Sequence, residues 1–458
     1  MRSKYIEIAD EYQKHAEMFV AITRRCHLWM EMGLGKTVVV LRAIYLWKEL
    51  EHINRVLVVA TDQGFKTTWP NEIEKWDFTE DFTYTVLTGT PKQRVRLLEE
   101  DTTIHLISYT TFIWLLKHYK NKWPYDVVIC DEASHIKNQR SERFKYARKI
   151  IKHTKYWVNM TGTPATNGLM NLWAPTYLLD RGERLCTSHG RFQTKFCKPL
   201  YRITPHHFKW GPTPAGAVAI REAVDDISYS VLEKDHIELP PIIDKEIYVD
   251  LPDDVLEIYE QLHTEMVIKI GHTKIAALNG AQVSMKCRQL ANGALYLDKK
   301  CTESAVIHDA KLDALERIVD DANGSPVLVA YQFRTDVTRI KERFPDAVLA
   351  KEVDGDLETQ WSEGKIPMLL LSASGVSSLN LQFGGHTGVF FGATYDLDAW
   401  AQFRKRLSRR GQTSTVLIYA LLTRGTIEPA IWECMLKKKP IQDMLLEEVK
   451  KYESRTLP

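Results

Sequence analysis

Met30-Glu31-Met32-Gly33-Leu34-Gly35-Lys36-Thr37 is the stretch on which the fold turns. Gly33 and Gly35 permit a tight backbone turn that points N–H groups at an anion, and a helix starting near Lys36 adds its positive dipole end. Met32, Gly33, Leu34 and Gly35 would cradle phosphate oxygens. Lys36 would neutralise the β- and γ-phosphates of ATP, and Thr37 would ligate Mg²⁺. The strict pattern G-x-x-x-x-G-K-[ST] places its first glycine where this chain has Met30, so the loop needs support from other segments.

That support comes from Val127-Val128-Ile129-Cys130-Asp131-Glu132, an apolar run ending in two carboxylates. Asp131 is placed to hold Mg²⁺ and Glu132 to orient and deprotonate an attacking water. A surface turn also uses adjacent acids, but a phosphate loop followed by a strand-end acid pair points to one joint site. Thr161-Gly162-Thr163-Pro164 closes a further apolar run. Its hydroxyls suit sensing of the γ-phosphate or coupling between lobes, although a plain turn would use the same Gly and Pro. Far along the chain, Ala401–Gln412 crowds together Gln402, Arg404, Lys405, Arg406, Arg409 and Arg410. Three apart on a helix, Arg406 and Arg409 share a face. They suit arginine fingers on transition-state charge; the alternative is a basic solvated or DNA-contacting helix.

Working outward, Arg55–Thr61, Ile104–Tyr109, Asp126–Cys130 and Tyr156–Thr161 read as buried parallel strands, with helices such as Val38–Leu50 and Arg140–Ile151 between them. The rhythm breaks after Asp180 and returns at Pro326–Tyr331, Met368–Ser372, Gly388–Gly392 and Thr415–Leu421. The fold class is therefore α/β, with two parallel-sheet lobes in tandem and a helical insertion between them. The first lobe spans 1–238 with an insertion at about 181–238; the second spans 239–458 with a helical segment at about 252–300. Leu239-Pro240-Pro241 reads as a rigid link, and Asp253–Ile270 as helix.

The 458 residues are 44% hydrophobic and 26% charged, with a net charge of +2, so any nucleic-acid surface is a local patch. The seven cysteines form no C-x-x-C pair, and Cys186, His189, Cys197, His206 and His207 fit no standard zinc spacing. The N-terminus carries no apolar signal core and no apolar run spans a bilayer, which predicts a cytoplasmic monomer without membrane contact. Lys437-Lys438-Lys439 reads as a solvated face.

With these motifs in place, the chain resembles the Swi/Snf-type ATPases of helicase superfamily two, whose lobes are RecA-like. Tyr12-Gln13 resembles the adenine-reading glutamine motif. Val58–Trp69 with Glu72–Trp76, the Ser108-Tyr109 pair and Asn159–Asn167 resemble the motifs that follow, and Cys287-Arg288-Gln289-Leu290 resembles the R-Q segment between lobes. Ala373–Gly385 and Gln402–Gln412 resemble the last two motifs. The order is kept from Tyr12 to about Trp432, and the short stretch from Asp346 to Ile366 resembles the compact, phage-encoded branch. Three positions depart from the pattern: Ser134 and Ser408 stand where the family has His, and Thr61 where it has Pro. The first two fall at positions that couple the lobes, as Thr161 and Thr163 do.

The resemblance implies ATP bound in a cleft, with Gln13 and Gln402 in the nucleotide site and Arg406 and Arg409 arriving from the far lobe. It implies a DNA-dependent ATPase that tracks double-stranded DNA. Backbone tracking needs hydroxyl, amide and basic donors; the candidates are Ser108, Tyr109, Gln332, Ser374, Ser377 and Asn380, with Lys195, Lys198, Arg202 and Lys209 in the insertion. Phe192, Phe196, Tyr201, Phe208 and Trp210 interleave with those bases and either pack or stack on DNA. The alternatives are a strand-separating helicase, which needs a wedge, and a nucleotide-gated DNA-binding scaffold with weak turnover, which the Ser134 and Ser408 departures would suit.

Overall fold

The computed structural model describes residues 3–120, 122–164, 168–204, 207–232, 239–265, 267–270, 273–276, 280–298, 300–373 and 379–437. The chain divides into two compact units, Met1–His236 and Ile237–Lys437.

The first unit is built on β1 (Arg25–Met30), β2 (Val56–Ala60), β3 (Tyr84–Val86), β4 (Ile104–Ser108), β5 (Val127–Asp131) and β6 (Tyr156–Met160). An antiparallel hairpin of β7 (Cys197–Thr204) and β8 (His207–Pro212) precedes β9 (Ser228–Val231). The sheet order is β3-β4-β2-β5-β6-β1-β9, and every pairing is parallel. Burial on both faces explains the runs: all five residues of β2 and of β6 are buried. Three strands of this sheet, the short β3 among them, escape the sequence reading. β1 is RCHLWM, with no β-branched residue, and β9 falls inside the span expected to be an insertion. It adds parallel to β1, so that span is a hairpin and two helices, His189–Phe196 and Pro214–Asp225, ending in an edge strand of the sheet.

The second unit continues with β10 (Ile242–Val249), the hairpin β11 (Val267–Ile270) and β12 (Thr273–Ala276), and the hairpin β13 (Ala294–Tyr296) and β14 (Ser304–Val306). Then follow β15 (Val327–Tyr331), β16 (Ala347–Leu349), β17 (Met368–Ser372), β18 (Thr387–Phe390) and β19 (Val416–Thr423). Its six-stranded sheet runs β10-β19-β18-β15-β17-β16, again all parallel. The helix expected over Asp253–Ile270 ends at Glu265, because Val267-Ile268-Lys269-Ile270 pairs as a strand. β-branched residues won there over continued helical periodicity. The helix Gly280–Asn292 completes the segment, which is thus mixed rather than helical throughout.

A buried polar network ties the second sheet to its helices. Lys311, on the helix Ala310–Asp321, donates to both carboxylate oxygens of Glu428 (2.8 and 2.7 Å) and to Asn292 Oδ1 (2.8 Å). Glu428 also accepts from the backbone N–H groups of Ala393 (3.1 Å) and Thr423 (2.9 Å). Asn292 donates to Asp336, whose carboxylate burial pushes up to about 6. Both ion-pair side chains are essentially inaccessible, so removing one strands a charge in low dielectric. Glu428→Ala is expected to lower the stability of this unit by about 3–5 kcal/mol. Denaturant unfolding of the variant would show it as an earlier midpoint, and an unchanged midpoint would refute it.

Candidate functional site

The phosphate loop leaves the buried end of β1. Gly33 (φ +88°) and Gly35 (φ +81°) hold left-handed backbone, and Gly35 caps the helix Lys36–Glu51. Met30 is the last residue of β1 and does not adopt positive φ. A glycine is therefore not needed there, which accounts for the departure from the strict pattern. The Lys36 ammonium lies across the strand end, donating to the carbonyls of Met30 (2.9 Å) and Glu31 (3.2 Å). Thr37 follows in the first turn of the helix. Gln13, on the helix Glu11–Thr23, donates to Leu34 O (3.0 Å) and accepts from Asp10 N–H (3.1 Å). Its amide thus ties the loop to the start of its own helix, and a Cβ at Gly35 would lie 2.4 Å from its Nε2.

β5 delivers the acids. Asp131 Oδ2 accepts from the indole N–H of Trp69 at 3.0 Å, and its carbonyl accepts from the Tyr109 hydroxyl at 2.8 Å. Burial pushes the Asp131 carboxyl above the usual range, opposed by the Trp69 hydrogen bond and the Lys36 charge. Glu132 sits in left-handed backbone (φ +58°), a cost that non-glycine residues carry mainly at functional turns. Its Oε2 accepts from the Thr161 hydroxyl at 3.5 Å, and Thr161 Oγ1 in turn accepts from Thr163 N–H at 3.1 Å. β6 lies between β5 and β1. Gly162 lets it approach the phosphate loop: a Cβ there would be 3.3 Å from Met30 O and 3.5 Å from Met32 N. Ser134 lines a small cavity with Thr161, Thr163 and Lys137.

In the second unit the helix Leu397–Leu407 carries Gln402, half-buried, and Arg406, fully buried. Arg406 and Arg409 do not share a helix face. The helix stops at Leu407, Ser408 is extended (φ −104°, ψ 92°), and Arg409 lies beyond it. Both guanidiniums nonetheless reach one short segment: Arg406 donates to Leu379 O (2.8 Å), and Arg409 to Asn380 Oδ1 and Lys405 O (2.8 Å).

The DNA candidates scatter. Ser108 and Tyr109 are buried: Ser108 Oγ caps the helix Tyr109–Tyr119 through Thr111 N–H, and Tyr109 supports Asp131. Gln332 donates to the carbonyls of Gly392 (2.5 Å) and Ala393 (2.6 Å) and accepts from Arg288. Asn380 is exposed and donates to Glu358. Ser374 and Ser377 lie outside the described residues. Lys195, Lys198 and Arg202 are exposed, whereas Phe192 and Phe196 pack in the core and Phe208 is exposed beneath the Arg202 guanidinium. Trp210 is half-buried, and the side chains of Tyr201 and Lys209 lie outside the described set. His189 packs edge-on against Trp173, and Cys197 lies 3.0 Å from the Met170 sulfur. No helix among the described residues is long and apolar enough to cross a membrane.

Residues 12–306 match the SNF2-related domain, well over half of the chain. The chain belongs to the SNF2-related family. Putative protein p41 of Acyrthosiphon pisum secondary endosymbiont phage 1 is 32% identical over 445 residues, covering 93% of this SNF2-related chain and 95% of its own length. An uncharacterized ATP-dependent helicase of Mycoplasma pneumoniae is 25% identical and covers 93% of the chain, which spans 41% of that protein. The nuclear protein STH1/NPS1 of Saccharomyces cerevisiae is 24% identical over 91% of the chain, which spans 33% of it. Among solved structures, the Sulfolobus solfataricus SWI2/SNF2 ATPase core in complex with dsDNA is 20% identical with a TM-score of 0.46, covering 96% of this chain and 93% of that one.

In this SNF2-related chain the residues around Thr37 and Asp131 suit Mg²⁺. The ion is usually held by one or two carboxylates together with substrate phosphates rather than by an all-protein cage. Asp131 supplies such a carboxylate, buried close enough to Lys36 to feel its charge.

Proposed function

We propose that this protein hydrolyses ATP to ADP and phosphate and uses the cycle to track along double-stranded DNA. The observation that carries the reading is the convergence, in an SNF2-related chain, of three motifs at the C-terminal ends of the neighbouring strands β5, β6 and β1. The phosphate loop, the Asp131–Glu132 pair and Thr161 meet there within one parallel sheet, where open α/β folds bind ligands.

In this reading Lys36 and the loop N–H groups hold the phosphates. Thr37 and Asp131 hold Mg²⁺, which neutralises phosphate charge when bound. Glu132 orients the attacking water and takes its proton. The Thr161 hydroxyl fixes the Glu132 carboxylate, and Thr163 N–H fixes that hydroxyl. Arg406 and Arg409 supply positive charge to the transferring phosphoryl group, with Gln402 on the same segment. Gln13 acts on the nucleotide through its hold on Leu34. Ser134 and Ser408 stand at coupling positions where the family has imidazole.

Tracking is tested by displacement of a third strand from a DNA triplex. The protein with ATP is expected to release the strand, and with a non-hydrolysable analogue to leave it in place. Equal release under both conditions, or none under either, contradicts the reading.

A further inference from the structure

We infer that Trp69 is a positioning residue for Asp131, and that through it the turn following β2 is wired to the acid pair. The inference rests on the role proposed above for Asp131. Trp69 is fully buried, and its indole N–H donates to Asp131 Oδ2 at 3.0 Å across 62 residues of sequence. A buried indole N–H generally needs a partner. Here the partner is a carboxylate whose orientation matters to the chemistry, and such outer contacts orient the groups that hold a metal.

The chain around Trp69 is arranged for this contact. Trp69 opens the helix Trp69–Lys75, directly after a π-helical turn at Gly64–Thr68. Turns of that kind are rare and concentrate at functional sites. Gly64 lets the turn close. A Cβ there would lie 3.0 Å from Ala60 Cβ and 3.2 Å from Thr61 Oγ1, with Asp131 Oδ2 3.8 Å away. On the outer side of the same turn Lys66 and Thr67 are exposed.

A second contact holds the backbone of the same residue. Tyr109, buried at the start of its helix, donates to Asp131 O at 2.8 Å. β2 lies between β4 and β5 in the sheet. The segments leaving β2 and β4 therefore grip the side chain and the carbonyl of Asp131 respectively. A ligand that moves Lys66 and Thr67 moves the helix start that carries Trp69, and with it the hydrogen bond to Oδ2. Trp69 acts through Asp131 and touches no substrate.

Two substitutions separate the hydrogen bond from packing. Trp69→Phe keeps a ring and removes the N–H. Benzothienylalanine at position 69 keeps the volume and replaces only the N–H with sulfur. Binding of a fluorescent ATP analogue is titrated with Mg²⁺, and ATP turnover is measured with and without duplex DNA. Nucleotide affinity in the absence of Mg²⁺ is expected to match the wild type. The Mg²⁺ concentration for half-saturation is expected to rise about tenfold, and stimulation by DNA to fall. A wild-type Mg²⁺ titration in the benzothienyl variant overturns the inference, whether or not the Phe variant folds. The two readings fail separately: wild-type turnover indifferent to duplex DNA contradicts the translocase, while the Mg²⁺ titration alone decides the role of Trp69.

Discussion

Glu132→Gln is expected to lower ATP turnover by about 10²–10⁴-fold while leaving nucleotide binding close to wild type. The substitution keeps size and hydrogen-bonding capacity and removes only the base. Glu132 owes its position to left-handed backbone and to the Thr161 hydroxyl 3.5 Å away. Gln can keep both, so a loss would be chemical rather than structural. Steady-state phosphate release gives the rate, and equilibrium binding of a fluorescent nucleotide gives the affinity. Wild-type turnover in the variant would remove Glu132 from the catalytic role. Equal loss of binding and turnover would make it a binding residue.

Arg409→Ala is expected to reduce turnover by about 10³-fold or more, the scale on which arginine fingers act. Arg409 is the better probe of the pair. Arg406 is fully buried and donates to Leu379 O, so its removal also strands a buried carbonyl in the second unit. Arg409 holds Asn380 Oδ1 and Lys405 O from beyond the helix end. Arg409→Lys keeps the charge but not the planar fork, so it should recover only part of the rate. Thermal unfolding separates catalysis from stability. A variant with wild-type melting and wild-type turnover contradicts the assignment.

The sequence was most legible where chemistry is written locally. The glycines and lysine of the phosphate loop, the acids closing β5 and the apolar runs of β2, β15 and β17 are contiguous patterns, and each forms the element expected. β1 was not legible, because Arg25-Cys26-His27-Leu28-Trp29-Met30 has neither alternation nor β-branching. Its strand character comes from parallel pairing with β6 and β9 on either side. The supports of the site were hidden for a related reason. Trp69 and Tyr109 meet Asp131 only after three strands are laid side by side, and no local period encodes such a contact. Tyr109 stands among the DNA candidates because hydroxyl donors suit DNA, and its burial and bond to Asp131 O are not written in local sequence. The arginine pair shows the limit of local spacing. Spacing of three implies a shared helix face, but the helix ends between Arg406 and Arg409. Their convergence on Leu379 and Asn380 comes from the chain beyond the helix rather than from helical periodicity.

The Ser134 departure also has a visible setting. Its side chain borders a cavity shared with Thr161 and Thr163, beside the hydroxyl that holds Glu132. Within that turn Thr163 N–H donates to Thr161 Oγ1, and the Thr161 hydroxyl donates to Glu132 Oε2.

The central claim is that ATP hydrolysis by this chain is coupled to duplex DNA. It is tested most directly by ATP turnover measured in parallel with no nucleic acid, with single-stranded DNA and with duplex DNA at matched nucleotide concentration. A low basal rate, a large increase with duplex and a smaller one with single strands are expected. Turnover unchanged by duplex DNA would contradict it.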